Sequence, residues 1–268
     1  MSYKFIIVET EGDIAILTLN RPDKLNCLNA GILHEIVKAL KELNEDEKIK
    51  ALILTGAGRA FCSGADLTEP PYGTDKNQPG ISRTEHITPF VTFGVVTQLL
   101  DSFTKPVIAA VNGIAAGGGL AYALAADVRI VSEQGSFSAI FVKRALVPDC
   151  GVSYYLPRLI GISRALEMMW TGDKVDARTA ERIGLANRVV PHDELMKAAK
   201  EFAHQLAAGP SLSIEMIKRM AYTSLKSDSV MTQMAVEDFM QQVCRESEDI
   251  REAMDAFINK RTPKFKGN

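Results

Sequence analysis

Apolar positions in this chain recur with two periods, and the alternation between them lays out an architecture. Two strand-like runs, 4–9 and 14–19, flank Glu11-Gly12-Asp13, which reads as a hairpin turn. Asn29 then caps a predicted helix over 30–43, with Leu33, Ile36, Val37 and Leu40 at helical spacing. Residues 51–55 read as a buried strand. Residues 68–80, dense in Pro, Gly and polar side chains, read as a surface loop. A helix over 90–102 leads to a strand at 107–111, three consecutive glycines, an alanine-rich helical run and a strand at 128–131. Strands and helices alternating at this spacing predict an α/β core with mostly parallel strands. After about Gly151 the pattern is mainly helical, over 154–160, 164–170, 177–183, 193–207, 211–225, 231–244 and 250–259, with one short strand at 186–190. The texture changes near Gly172 to Gly184, and the chain divides into an α/β core, 1–190, and a helical C-terminal region, 191–268.

Composition narrows the function classes. The 268 residues are 46% hydrophobic and 24% charged, enough to bury a large core. A formal net charge of -2 leaves no footprint for nucleic acid or an acidic membrane surface. No apolar run approaches membrane-spanning length, and the opening MSYKFIIVETEGD has neither a secretory nor an organelle-targeting pattern. Cys27, Cys62, Cys150 and Cys244 are scattered without metal-ligand or redox spacing, so they are expected to be reduced thiols in a cytoplasmic protein. Neither a metal cluster nor a dinucleotide fingerprint is present in the sequence.

Two stretches carry chemistry. In 106–126, PVIAAVNGIAAGGGLAYALAA, an apolar strand meets Gly117, Gly118 and Gly119 just before a helix. Such a turn presents bare backbone N–H groups at the positive end of a helix dipole. In 51–66 the same grammar recurs, with a strand followed by Gly56, Gly58 and Gly64 and small residues around Ala65. Two glycine-rich turns that each offer one N–H to a common oxygen make a candidate oxyanion hole, which points to chemistry on a carbonyl.

The motifs NRPDKLNCLN (20–29), GAGRAFCSGADL (56–67), KPVIAAVNGIAAGGGL (105–120), LVPDCGVSYYLPRLIG (146–161) and AFINKRTPKF (256–265) resemble the crotonase superfamily, the enoyl-CoA hydratase/isomerase family, from end to end. The resemblance implies a spiral of repeated ββα units with a helical C-terminal trimerisation region, assembled as homotrimers or paired trimers. It implies acyl-CoA thioester substrates, with CoA entering as part of the substrate and no further cofactor. It also implies that the backbone amides of Ala65 and Gly118 hold the thioester oxygen. Lys24 and Leu25 fall in the stretch that lies along CoA in relatives, and Ala65, Asp66, Leu67 and Thr68 border the thioester end. Phe257 and Lys260 match residues that a neighbouring subunit lends to the nucleotide.

Hydratases of the family use two glutamates, but Ala121 and Phe141 stand at those positions here, and neither transfers a proton. Asp149 sits where some family isomerases carry a single acidic residue, and the pattern is closest to single-acid isomerases, including ring isomerases of phenylacetate breakdown. One base can remove an α-proton and return it at the γ-carbon, moving a double bond without adding water. Among Leu146, Val147 and Tyr154, Asp149 is expected to be partly desolvated; the competing reading is a cap for the helix starting near Gly151. Glu85 and His86 could face the acyl pocket, and His86 with Asp149 would resemble the aryl-CoA dehalogenases. Asp66 reads as a structural hydrogen-bonding group in its turn. His34, His192 and His204 read as surface residues, and Tyr154, Tyr155 and Trp170 as core or pocket lining. The functional expectation is an enoyl-CoA isomerase, against a hydratase, dehalogenase or hydrolase with a non-standard acid/base, or a non-catalytic CoA-binding protein.

Overall fold

The computed structural model describes residues 3–68 and 93–267. Its strands are β1 (Ile6–Glu11), β2 (Ile14–Leu19), β3 (Ala51–Gly56), β4 (Ala60–Cys62), β5 (Val107–Val111), β6 (Ile114–Ala116), β7 (Val128–Ser132), β8 (Ser136–Ser138), β9 (Lys174–Asp176) and β10 (Arg188–Val190). The helices among the described residues are α1 (Ala30–Glu45), α2 (Gly94–Asp101), α3 (Gly118–Ala125), α4 (Val152–Ile160), α5 (Ile162–Thr171), α6 (Ala177–Arg182), α7 (Leu195–Ala207), α8 (Ser211–Ser224), α9 (Val230–Arg245) and α10 (Glu248–Ile258).

Strands fall into two sheets, one ordered β1-β2-β3-β5-β7-β10 and one ordered β4-β6-β8-β9. Each turn of chain gives one strand to the first sheet, the next to the second, and then a helix: β3, β4, α2; β5, β6, α3; β7, β8, α4. Successive turns stack in parallel register, Leu52 beside Val107 and Ile108 beside Val128 in the first sheet, Ile114 beside Ser136 in the second. This is the expected spiral of ββα units.

Both faces of the first sheet are covered, so its central strands are apolar throughout rather than alternating. Val107, Ala109 and Val111 of β5 face the main core, while Ile108 and Ala110 join Ile16, Ile53 and Ile130 against α7. That helix supplies Leu195, Ala199, Ala203 and Ala207, spaced four apart so that small residues bring it close to the strands. The Asn29 cap is present, its side chain accepting from the Ile32 N–H at 3.0 Å. By contrast, α8 buries no side chain completely, and the arm α8–α10 leaves Ile217, Met231, Phe239, Met254 and Phe257 exposed. Trp170, expected in the core or a pocket, is 70% exposed: α5 turns Ala165 and Met168 inward and Trp170 outward. The predicted loop beyond Thr68, the start of the predicted helix at residue 90, and Glu85 and His86 lie outside the described residues.

Candidate functional site

The turn after β4 is fastened to the segment following β2. Leu28 donates its N–H to the Gly64 carbonyl at 2.8 Å and accepts from the Asp66 N–H at 2.8 Å; Ser63 N–H reaches the Leu25 carbonyl at 3.0 Å. These bonds flank Ala65 in a single parallel bridge with Leu28, an arrangement that turns the Ala65 N–H away from Leu28. The second turn ends β6. Gly117, at φ 53° and ψ -122°, is held by its N–H to the Ser138 carbonyl at 3.2 Å, and α3 begins at Gly118. The first N–H groups of a helix have no intrahelical acceptor. Gly64, at φ +94°, lets the two turns touch: a Cβ there would sit 2.9 Å from the Ala116 carbonyl oxygen and 3.5 Å from the Gly118 nitrogen. At Gly119 any side chain would overlap the Cys62 backbone.

Ala65 and Gly118 line one cavity of about 110 Å³, together with Leu67, Phe93, Phe141 and Asp149. Ala121 is fully buried inside α3, and Phe141 lies in a short 3-10 turn, Ile140–Arg144, so neither hydratase position offers a carboxylate. Among the described residues lining the cavity, Asp149 is the one carboxylate. It does not cap α4. Gly151 is the N-cap residue without a side-chain bond, and Asp149 contributes only its carbonyl, to the Val152 N–H at 3.0 Å. Nor is it desolvated as expected: Asp149 is exposed, because Leu146 and Val147 are themselves turned to solvent rather than folded over it. Beside it Cys150, at φ 52°, has its thiol pushed well up, first by burial and then by a hydrogen bond to Asp149.

The CoA-side candidates form a second constellation. Asp66 is buried and makes more than the turn contact read from sequence. Its Oδ1 accepts from the Thr68 hydroxyl at 2.6 Å and N–H at 3.1 Å, while Oδ2 meets Arg21 at 3.0 Å and Lys24 at 3.2 Å. Arg21, which the sequence reading passed over, also bonds the Cys27 carbonyl at 2.8 Å and so ties 21–28 to the Ala65 turn. Burial opposes ionisation of Asp66, but the bonds from Thr68, Cys27 and Lys24 outweigh it and hold the carboxyl well below the usual carboxylate range. A group so depressed stabilises the fold fully above its unfolded value near 3.9 and progressively less as the pH falls below it. Asp66→Asn should therefore cost about 1–3 kcal/mol at neutral pH. In thermal melts at stepped pH the gap to wild type should be constant above about pH 5 and should narrow as pH falls below about 4. A gap indifferent to acid would refute the assignment.

Leu25 is half-buried in a left-handed conformation (φ 52°), and Lys24 is exposed at the end of a 3-10 turn. Phe257 and Lys260 are exposed and line neither the thioester cavity nor the larger space beside it. His34, His192 and His204 lie at the surface, as expected. Tyr154 and Tyr155 are half-buried and line that neighbouring space.

Known proteins resemble this chain over nearly its full length. The family described as enoyl-CoA hydratase/isomerase matches residues 9–268. A 1,2-epoxyphenylacetyl-CoA isomerase of Escherichia coli (strain K12) is 36% identical over 98% of this chain and 99% of its own. A short-chain-enoyl-CoA hydratase of Clostridium acetobutylicum is 36% identical over 97% of each. The crystal structure of an enoyl-CoA hydratase from Bacillus anthracis superimposes with a TM-score of 0.90 at 32% identity, covering 99% of this chain and 100% of that one.

Proposed function

The chain belongs to the enoyl-CoA hydratase/isomerase family and is an acyl-CoA-processing enzyme of that family. From that premise we propose that it shifts a carbon–carbon double bond in an enoyl-CoA by proton transfer through Asp149. The observation that supports this reading is the cavity itself, which Ala65, Gly118 and Asp149 line together while alanine and phenylalanine stand at positions 121 and 141.

The thioester oxygen sits between the Ala65 and Gly118 N–H groups. As Asp149 removes a proton from the α-carbon of a 3-enoyl-CoA, the electron pair delocalises onto that oxygen, and the two donors stabilise the charge that develops. The dienolate then recovers the proton from Asp149 at its γ-carbon, and the double bond moves into conjugation with the carbonyl. Nothing is oxidised and no water is consumed, so the reaction needs no cofactor beyond the CoA of the substrate. Lys24 and Leu25, with Ala65 to Thr68, border the CoA arm. The isomerase activity named for the E. coli relative fits this chemistry.

Incubation with a 3-enoyl-CoA should raise the absorbance of the conjugated thioester, and a 2-enoyl-CoA should be hydrated slowly or not at all. Rapid hydration of the 2-enoyl-CoA without isomerisation overturns the proposal. We propose further that the enzyme is a cytoplasmic homotrimer or dimer of trimers. The exposed apolar residues of α8–α10 support an assembled state, and no helix among the described residues is long and apolar enough to cross a membrane. Light scattering should give a mass of three or six chains; a monomer at micromolar concentration rejects the assembly.

A further inference from the structure

The short 3-10 turn that carries Phe141 is pinned at both ends. Before it, the Ser138 hydroxyl donates to the Gly172 carbonyl at 2.8 Å; after it, the N–H groups of Ala145 and Leu146 reach the carbonyls of Val142 and Phe141 at 3.0 and 3.1 Å. Its last two residues, Lys143 and Arg144, are both cations, and they go different ways. Lys143 leans toward the connection between α5 and β9, where Asp173 accepts from its ammonium at 2.8 Å. Arg144 borders the thioester cavity, whose walls are otherwise mostly backbone and apolar side chains such as Leu67, Phe93 and Phe141.

Among the described residues lining that cavity, Arg144 is the one cation, as Asp149 is the one carboxylate. They form no ion pair with each other, and Arg144 meets no other acid among the described residues. Its guanidinium donates to the Lys143 carbonyl at 3.1 Å, which leaves most of its N–H donors open. Other cations near the site are engaged: Arg21 and Lys24 by Asp66, Lys226 by Asp101. A guanidinium is weakly hydrated, and its planar fork matches the paired oxygens of a carboxylate or phosphate. An anionic group brought into this cavity would also face Asp149, and a nearby cation is what offsets that repulsion.

Two parts of a CoA thioester can carry such a group, the phosphates of the CoA arm and the acyl chain itself. Lys24 and Leu25, on the CoA side, do not line this cavity, whereas Arg144 and Asp149 line it together. We infer, on the reading of this cavity as the thioester site, that Arg144 selects acyl groups bearing a carboxylate. The substrate is then the CoA monothioester of an unsaturated dicarboxylic acid, its free carboxylate held by the guanidinium while Asp149 moves the proton. The held carboxylate takes no part in that transfer. A site built to bond a charged group discriminates against the analogue that lacks it, because its own polar group is left unpaired.

Saturated thioesters, which cannot react, separate this inference from the isomerase reading. Calorimetric Kd values would be compared for matched series of CoA monothioesters of straight-chain diacids, their terminal amides, and plain acyl-CoAs. Wild type should bind at least one diacid thioester about tenfold more tightly than its amide, and added salt should shrink the difference. In Arg144→Gln the ratio should fall to about one; Arg144→Lys, which keeps the charge, should retain part of it. Both variants should melt with wild type, since Arg144 is exposed and bonds only the adjoining carbonyl. Equal affinities for diacid thioester and amide in wild type, or a ratio undiminished in Arg144→Gln, would overturn the inference. So would an Arg144→Gln variant that weakens all three series alike, which puts the guanidinium on a CoA phosphate instead. A wild type that shows the preference but does not convert 3-enoyl-CoA would sink the isomerase reading alone.

Discussion

Asp149→Asn should give a folded protein that binds CoA thioesters and no longer isomerises them. The amide keeps the size of the carboxylate but cannot accept and return a proton. Removing a general acid–base costs about 10²- to 10⁴-fold in rate, and in the proposed mechanism one group performs both transfers, so kcat should fall toward the upper end. The Asp149 side chain is exposed and caps no helix, so the substitution should change stability by no more than about 0.5 kcal/mol. KM for the acyl-CoA should change little, because the amides of Ala65 and Gly118 are untouched. Steady-state kinetics on a 3-enoyl-CoA with a parallel CoA-binding measurement reads the two effects separately. Full activity in this variant would remove Asp149 from the mechanism.

Gly64→Ala is the second large effect, and it acts through the backbone. An alanine at φ +94° carries conformational strain of about 1–2 kcal/mol. Its methyl would also press to 2.9 Å from the Ala116 carbonyl oxygen, a contact with backbone that cannot rotate aside, worth a further 1–3 kcal/mol or so. Together these predict a loss of about 2–5 kcal/mol and a fall in Tm of roughly 4–10 °C. Gly12→Ala is the internal comparison, because Gly12 has φ +63° with nothing within 4 Å of the added methyl. It should show the strain alone. Equal melting temperatures for the two variants would mean that the turns do not touch as described. In Gly64→Ala the relief of overlap moves the Ala65 turn off the α3 turn, so kcat should drop along with stability.

The long, strongly patterned elements were legible in the sequence. The Asn29 cap, the all-apolar β3 and β5, and the triple glycine opening α3 follow from local rules of capping, burial and helix-terminus geometry. The second sheet was not. Strands β4, β6, β8 and β9 are three residues each, too short to show alternation, and they exist through pairing with one another across distant turns of chain. The site shows the same division. Ala65 and Gly118 could be placed by motif, whereas the exposure of Asp149 could not, because Leu146 and Val147 are neighbours in sequence that do not pack over it. Arg21 gave no signal either, since its partner Asp66 lies 45 positions away.

The contact between the Gly64 turn and the start of α3 has an evolutionary consequence. The proposed oxyanion cradle is made of main-chain amides, which a substitution at Ala65 other than proline leaves in place, while the glycines that let the two turns touch, Gly64 and Gly119, cannot change. The proposed proton-moving group, Asp149, stands on a separate stretch of chain and is a single codon. On the proposed mechanism, substitutions at positions 121, 141 and 149 change the proton-transfer groups without touching those amides. A lineage can pass between hydratase and isomerase through intermediates that still hold their ligand, which suits a family whose full-length relatives carry both names.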